Sequence, residues 1–396
     1  MSNHRPMRVL YVSGLTGFGV GGARTEEIRL VRGMADRGLQ VAMANDVLPP
    51  DLQGIEHLHI DYPPRDRAAE QIAQAVEAFK PDLVHAMGGG VRFFNACTQA
   101  LANSTWILTT HNMPPAERIF TRLHGFDGLH FLARDFVALP SVRASAKFLR
   151  RANFARVICH SKTVANRLQA MGCPPDEISE IPFGSEIGKI QESSAGAPSI
   201  FPADAWPKIM TVAGFAHHKG QLDGIRLIER LLPDFPRIVY RIVGTSRDSR
   251  YRAQLRHEIE KLGLSSQIQI LEDVKDPEKF AALREVDLYV QPSREEGFCI
   301  AFMEAAMFCS RLLGTDTGAI SAMAANDPAA RVVQPGDINA LARAARELLK
   351  IDNAAQMLLR RRQELPQRYS WESYLDQHEA VYSRVLEGRA PQTRST

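Results

Sequence analysis

Short apolar, β-branched runs alternate along this chain with longer stretches in which apolar residues recur at helical spacing. Arg8 to Ser13 (RVLYVS) predicts a buried strand. Gly14 to Gly22 is glycine-rich and ends on Gly21-Gly22. Arg24 to Arg37 predicts an amphipathic helix with Ile28, Val31 and Ala35 on one face. Gly38 is its expected cap, and Val41 to Met43 the next strand. Strand, glycine loop, helix, strand is the opening of a doubly wound sheet. The pattern continues with a helix over Ala69–Phe79 and strands at Pro81–Ala86, Trp106–His111 and Val157–Ser161. Glu192 to Pro207 is rich in Ser, Ala, Gly and Pro without periodicity, and predicts a linker. Lys208–Ala213, Ile238–Gly244 and Ile268–Leu271 restart the strands, with helices at Arg250–Leu262 and Asp276–Leu283 between them. The expectation is an α/β protein of two doubly wound, Rossmann-like domains, 1–190 and 205–370. A last helix over 371–388 completes the first domain, and the tail 389–396 is disordered.

The chemistry is expected in one stretch of the second half. Val286 to Val290 reads as a short buried strand, ended by Pro292 and Ser293 because proline has no N–H for a sheet ladder. Gly297 permits a tight turn, and Phe298 to Phe308, free of Gly and Pro, predicts a helix. Strand, polar turn, helix puts a ligand at the carboxyl end of a parallel sheet. The helix N-terminus offers N–H groups and partial positive charge, which suits a phosphate. Glu296 and Glu304 stand eight residues apart. At 1.5 Å per helical residue that is at most about 12 Å, too far to grip one atom. They suit two hydroxyl-bearing ends of a long ligand with a phosphate between, the layout of a nucleotide sugar; two solvated surface carboxylates are the plainer alternative.

Pro292-Ser293-x-x-Glu296-Gly297-Phe298, then Glu304-Ala305 and Thr315-Asp316-x-Gly318, resembles the donor signature of the retaining GT-B glycosyltransferases, the family-four group (glycosyl transferases group 1). The resemblance runs over roughly residues 8 to 385. It implies a cleft between two domains and sugar transfer from a nucleoside-diphosphate sugar to an acceptor hydroxyl, with retention. It places Glu296 on the transferred sugar and Glu304 on the ribose. Gly297 and Phe298 approach sugar and phosphate, and Val274 lies near the base. Lys219, in the loop Gly214–Gly220, matches the family lysine that neutralises the diphosphate, and His111 matches the histidine beside the sugar. Gly21 and Gly22 match the loop under the donor phosphates. His85 is expected to be structural. Phe215 stands where the family carries an arginine, and Ala319, Ala322, Cys309 and Arg311 also depart from the pattern.

Composition adds boundaries. The 396 residues suit about two domains. A net charge of +3 gives no nucleic-acid footprint. The five cysteines form no Cys-x-x-Cys pair, which disfavours structural zinc or a disulfide scaffold and fits a reducing, cytoplasmic compartment. No run approaches the ~18–20 apolar residues of a membrane span. Arg143 to Arg156 is a candidate basic amphipathic helix for peripheral contact with an anionic membrane, the alternative being a solvated face. No metal and no cofactor is expected. The expected partners are a nucleotide-sugar donor and a glycan, lipid-linked or small-molecule acceptor. A GT-B epimerase or phosphorylase, or a catalytically inactive nucleotide-sugar binder, are the competing readings.

Overall fold

The apolar runs become parallel strands in the computed structural model, which describes residues 5–14, 22–61, 67–88, 91–111, 146–150, 152–185, 198–245 and 249–388. Contacts divide the chain into residues 1–182 with 372–396, and residues 183–371.

In the first unit, β1 (Arg8–Ser13), β2 (Gln40–Asn45), β3 (Glu56–His59), β4 (Leu83–Met87), β5 (Trp106–Thr109), β6 (Arg156–Cys159) and β7 (Ile178–Glu180) form one parallel sheet in the order β3-β2-β1-β4-β5-β6-β7. Strand order reverses direction between β1 and β4, where Val12 pairs with Ala86 and Ser13 with Met87. Connections leaving β1 and β4 therefore diverge to opposite sides, and a crevice opens at the carboxyl ends of these two strands. The strand residues Leu10, Val12, Val84 and Leu108 are fully or almost fully buried and share one core with Ile72 and Phe79 of the helix Ala68–Phe79. Helices on a parallel sheet bury both strand faces, which is why these strands read as unbroken apolar runs.

In the second unit, β8 (Lys208–Val212), β9 (Val239–Val243), β10 (Ile268–Leu271), β11 (Leu288–Gln291), β12 (Leu312–Thr315) and β13 (Ala330–Val333) form a parallel sheet in the order β10-β9-β8-β11-β12-β13. Its reversal lies between β8 and β11, where Leu288 pairs with Ile209 and Tyr289 with Met210. The helix Gln221–Leu231 packs Ile225, Leu227, Ile228 and Leu231 into the second core.

The last helix, Trp371–Glu387, returns to the first unit. Tyr382 brings its hydroxyl 3.2 Å from that of Tyr11 and 2.8 Å from Nδ1 of His85. His85 Nε2 lies 2.6 Å from Thr109 Oγ1, so both ring nitrogens of this buried histidine are occupied by the fold. Arg37 anchors the same helix through Asp376 at 2.7 Å and Glu379 at 2.6 Å.

Three sequence expectations change. The strand expected at Val286–Val290 is Leu288–Gln291, and the helix expected from Phe298 starts at Ile300. Phe298 and Cys299 are instead a buried turn, with Cys299 in the left-handed region at φ 87°. Arg143–Arg156 is not one amphipathic helix. Only 146–150 is helical among its described residues, and Arg156 begins β6. Phe148, Leu149 and Phe154 are buried in the first core, so these apolar groups are not an exposed membrane face. No described helix is long and apolar enough to cross a membrane. The tail 389–396 lies outside the described residues.

Candidate active site

The loops leaving β8 and β11, at the reversal of the second sheet, carry Lys219 and Glu296. Lys219 Nζ stands 2.7 Å from Glu296 Oε2. The loops can meet because Gly220 has no side chain. A Cβ there would lie 1.9 Å from the carbonyl oxygen of Pro292, and its φ of +68° suits glycine. A second glycine, Gly318, supports the carboxylate from the other side: a Cβ there would come 2.8 Å from Glu296 Cβ and 2.7 Å from the Phe298 carbonyl oxygen.

Glu296 is held by a relay of buried polar groups. Ser293 Oγ donates to Glu296 Oε1 at 2.7 Å, Gln291 Nε2 donates to Ser293 Oγ at 2.8 Å, and the Tyr289 hydroxyl donates to Gln291 Oε1 at 2.6 Å. The backbone N–H of Glu296 donates to Thr317 Oγ1 at 2.9 Å. Burial works against the Lys219 charge, but Glu296, with Cys299 and Glu295, outweighs it and raises the ammonium's pKa. Lys219 is therefore charged at neutral pH. The Glu296 side chain is 6% exposed and that of Lys219 24%, so the ammonium is the member of the pair that an incoming anion reaches.

The other expected donor residues are distributed around this pair. Gly297 and Phe298 form the buried turn before the helix Ile300–Phe308. No side chain caps that helix at its N-cap Cys299, and the Phe302 N–H donates to the Cys299 carbonyl at 3.2 Å. Glu304, on the same helix, meets Lys279 at 3.1 Å, and Lys279 also meets Asp276 at 3.0 Å. The two glutamates thus have separate lysine partners. Val274 is half-buried in the connection after β10, beside Asp273 at φ 58°. Phe215, at the position of the family arginine, is buried in the second core. Arg294 makes a two-pronged bond to the fully buried Asp223, 2.7 Å on each prong, which locks the β11 loop to the helix Gln221–Leu231. His217 packs against Tyr251 with centroids 4.2 Å apart and the rings tilted by 52°.

The first unit holds a second polar cluster at its own reversal. Gly21 lies outside the described residues, and Gly22 starts the helix Gly22–Asp36. From that helix the fully buried Glu27 accepts from Ser13 Oγ at 2.7 Å and Arg24 Nη1 at 3.1 Å, and lies 3.3 Å from His111 Nε2. Glu26 Oε2 is 3.7 Å from His111 Nε2, and the His111 and His160 rings stack at 5.3 Å. Burial pushes the Glu26 carboxyl up to about 8; His111 opposes that shift and Glu27 adds to it. Burial disfavours a charge on His111, but Glu27 and Glu26 prevail and raise its pKa. His160 is driven well down by burial and by His111. His111 was expected from the sequence; Arg24, Glu26, Glu27 and His160 were not. Among the described residues, Glu26, His111 and His160 bring ligand-type atoms within 4.8 Å of one another, a spacing one cation fits. A metal there would have to displace the proton that the carboxylates favour on His111.

Comparison with known proteins agrees with this geometry. The family model described as glycosyl transferases group 1 matches residues 200–364, and that described as glycosyltransferase family 4 matches residues 20–187. The chain is 26% identical over 225 residues to a phosphatidyl-myo-inositol mannosyltransferase of Mycolicibacterium smegmatis, covering 56% of this chain and 55% of that one. The match thus spans about half the length of that relative. It is 23% identical over 364 residues, 82% of each chain, to a 2-deoxystreptamine N-acetyl-D-glucosaminyltransferase of Streptomyces fradiae. Among solved structures, Anabaena HepE in complex with UDP-glucose superposes with a TM-score of 0.73 at 17% identity, covering 96% of this chain and 100% of that one. With both units matched by their respective models, and with each sheet reversing where the family signature falls, the chain belongs to the group 1, family-four type of glycosyltransferase and has the GT-B fold.

Proposed function

We propose that this protein transfers a sugar from a nucleoside-diphosphate sugar to an acceptor hydroxyl, with retention at the anomeric carbon, in the synthesis of a glycan, polysaccharide or glycolipid. The observation that carries the proposal is the Lys219–Glu296 pair at the reversal of the second sheet, 2.7 Å apart, beside an uncapped helix N-terminus. The bond from the anomeric carbon to the diphosphate oxygen breaks, and negative charge grows on the leaving group. Lys219 and the first N–H groups of Ile300–Phe308 oppose that charge from fixed positions, so little reorganisation is needed as it develops. Glu296, oriented by Ser293 and Gln291, accepts from a hydroxyl of the transferred sugar. The acceptor oxygen bonds to the anomeric carbon on the face the phosphate leaves, and its proton passes to the departing phosphate oxygen.

Similar proteins support this reading. HepE is solved with UDP-glucose, and the relatives include lipid and small-molecule glycosyltransferases. The test is a mass-spectrometric screen of uridine, guanosine and adenosine diphosphate sugars with the purified chain. The diagnostic product is the nucleoside diphosphate, released by transfer or slow hydrolysis. Proton NMR of the transferred sugar then reads the anomeric configuration. Release from none of the donors would remove the reading, and an inverted product would remove retention.

A further inference from the structure

Arg24 is a buried cation whose side-chain donors are only partly satisfied. It sits in the first turn of the 15-residue helix Gly22–Asp36, with its side chain only 4% exposed. Its Nη1 reaches Glu27 at 3.1 Å and Ser13 at 3.4 Å. Its Nε and Nη2 are buried and have no hydrogen-bond acceptor among the described residues. A buried guanidinium N–H without an acceptor loses its hydration and gains nothing in return, so two in one side chain call for a missing acceptor. The surroundings specify its charge. Glu27 is shared among Ser13, Arg24 and His111, so one carboxylate faces two basic groups. Glu26, the other carboxyl nearby, lies toward His111, with Oε2 3.7 Å from its Nε2. No acidic residue occupies the helix's first turn, whose N–H groups add partial positive charge. The site stands at the carboxyl ends of β1 and β4, where the sheet order reverses and a doubly wound unit binds its ligand.

We propose that Arg24 and the start of its helix bind an oxyanion, a phosphate or carboxylate group, carried by the acceptor. Guanidinium suits this group because its parallel N–H bonds match two oxygens of one carboxylate or phosphate. The inference rests on the glycosyltransferase reading for the word acceptor, and names that acceptor's chemical class. The same oxyanion chemistry is offered by the donor diphosphate, so the experiment separates the two sources.

Calorimetry on the full chain, in EDTA and at fixed ionic strength, compares glucose 6-phosphate, glucuronate, inorganic phosphate and neutral glucose. Each titration is repeated with UDP, GDP or ADP at saturation. The expected result is at least ~10-fold tighter binding of the two anionic sugars than of glucose, persisting when nucleoside diphosphate is bound. Arg24→Gln should abolish the difference, and Arg24→Lys should retain part of it, since an ammonium keeps the charge and loses the fork. Equal affinity for glucose and its anionic counterparts overturns the inference, and so does an unaltered preference in Arg24→Gln. Loss of the anion on adding nucleoside diphosphate assigns the site to the donor and also overturns it. Should Arg24→Gln not fold, the wild-type titrations and Arg24→Lys decide. Absence of nucleoside diphosphate binding to wild type is a separate readout, which counts against the transferase reading and leaves the anion preference to be judged by itself.

Discussion

Replacing Glu26 by glutamine should stabilise the first unit, increasingly so as the pH rises. The Glu26 carboxyl is buried, makes no hydrogen bond among the described residues, and has its pKa pushed from 4.5 up to about 8. The folded protein therefore keeps this proton to higher pH than the unfolded chain does. Between pH 4.5 and 8 the unfolded state releases it and the folded state does not, so rising pH favours unfolding. At 1.36 kcal/mol per unit, the gap sets a ceiling of about 5 kcal/mol above pH 8 and about 3 kcal/mol at pH 7. Glutamine has the shape of the protonated acid and no proton to lose. The variant should match wild type near pH 4 and exceed it progressively to pH 8. His111 contributes a second slope of the same sign. Its folded pKa is raised, so its stabilisation is complete below its ordinary value of 6.5 and is lost as pH rises through the folded value. The Glu26 slope begins two units lower, which separates the two. Urea unfolding read by tryptophan fluorescence measures the effect in a Trp206→Phe/Trp371→Phe background. There Trp106, 1% exposed in the first core, is the only indole of the chain's three. Parallel stability curves for glutamate and glutamine from pH 4.5 to 8 would refute the reasoning, as would a less stable glutamine variant at pH 7.

Two further outcomes follow from single contacts. Gly220→Ala puts a Cβ 1.9 Å from the Pro292 carbonyl at a φ of +68°, and should destabilise the second unit by about 3 kcal/mol or more, read as a lower urea midpoint. Tyr382→Phe removes the hydroxyl shared by His85 and Tyr11 and leaves buried polar atoms without it, at about 1–3 kcal/mol; faster hydrogen exchange across Trp371–Glu387 should report it.

Much of this architecture is legible in the sequence because parallel strands buried on both faces read as plain apolar runs, and because Gly220 and Gly297 mark the turns between strand and helix. Lys219 and Glu296 stand out for a different reason, their place in a motif, and the structure brings the two side chains together. Spacing alone assigns Glu304 less well, since it gives no sign of Lys279 across from it. The first-unit cluster was missed because a helical pattern of apolar residues points at Ile28, Val31 and Ala35. The residues actually buried include Arg24, Glu26 and Glu27, in phase with Leu30, Val31 and Met34. Glu27 precedes Leu30 by three positions and Val31 by four, so the chain does place it on the inward stripe. Charge masks that phase, because charged residues are rarely buried unless paired. The basic run 143–156 misled in the opposite sense. Its arginines suggested a surface, while Phe148, Leu149 and Phe154 go to the core.

Affinity for the nucleoside diphosphate bears most directly on the role given to Lys219. Titration of UDP, GDP and ADP into wild type, Lys219→Met and the charge-balanced Lys219→Met/Glu296→Gln variant compares the site with and without its ammonium. Loss of one charge-assisted contact, about 1.5–3 kcal/mol, predicts roughly 10- to 100-fold weaker binding of the preferred diphosphate in both variants. Wild-type affinity in folded protein lacking Lys219 would contradict the account.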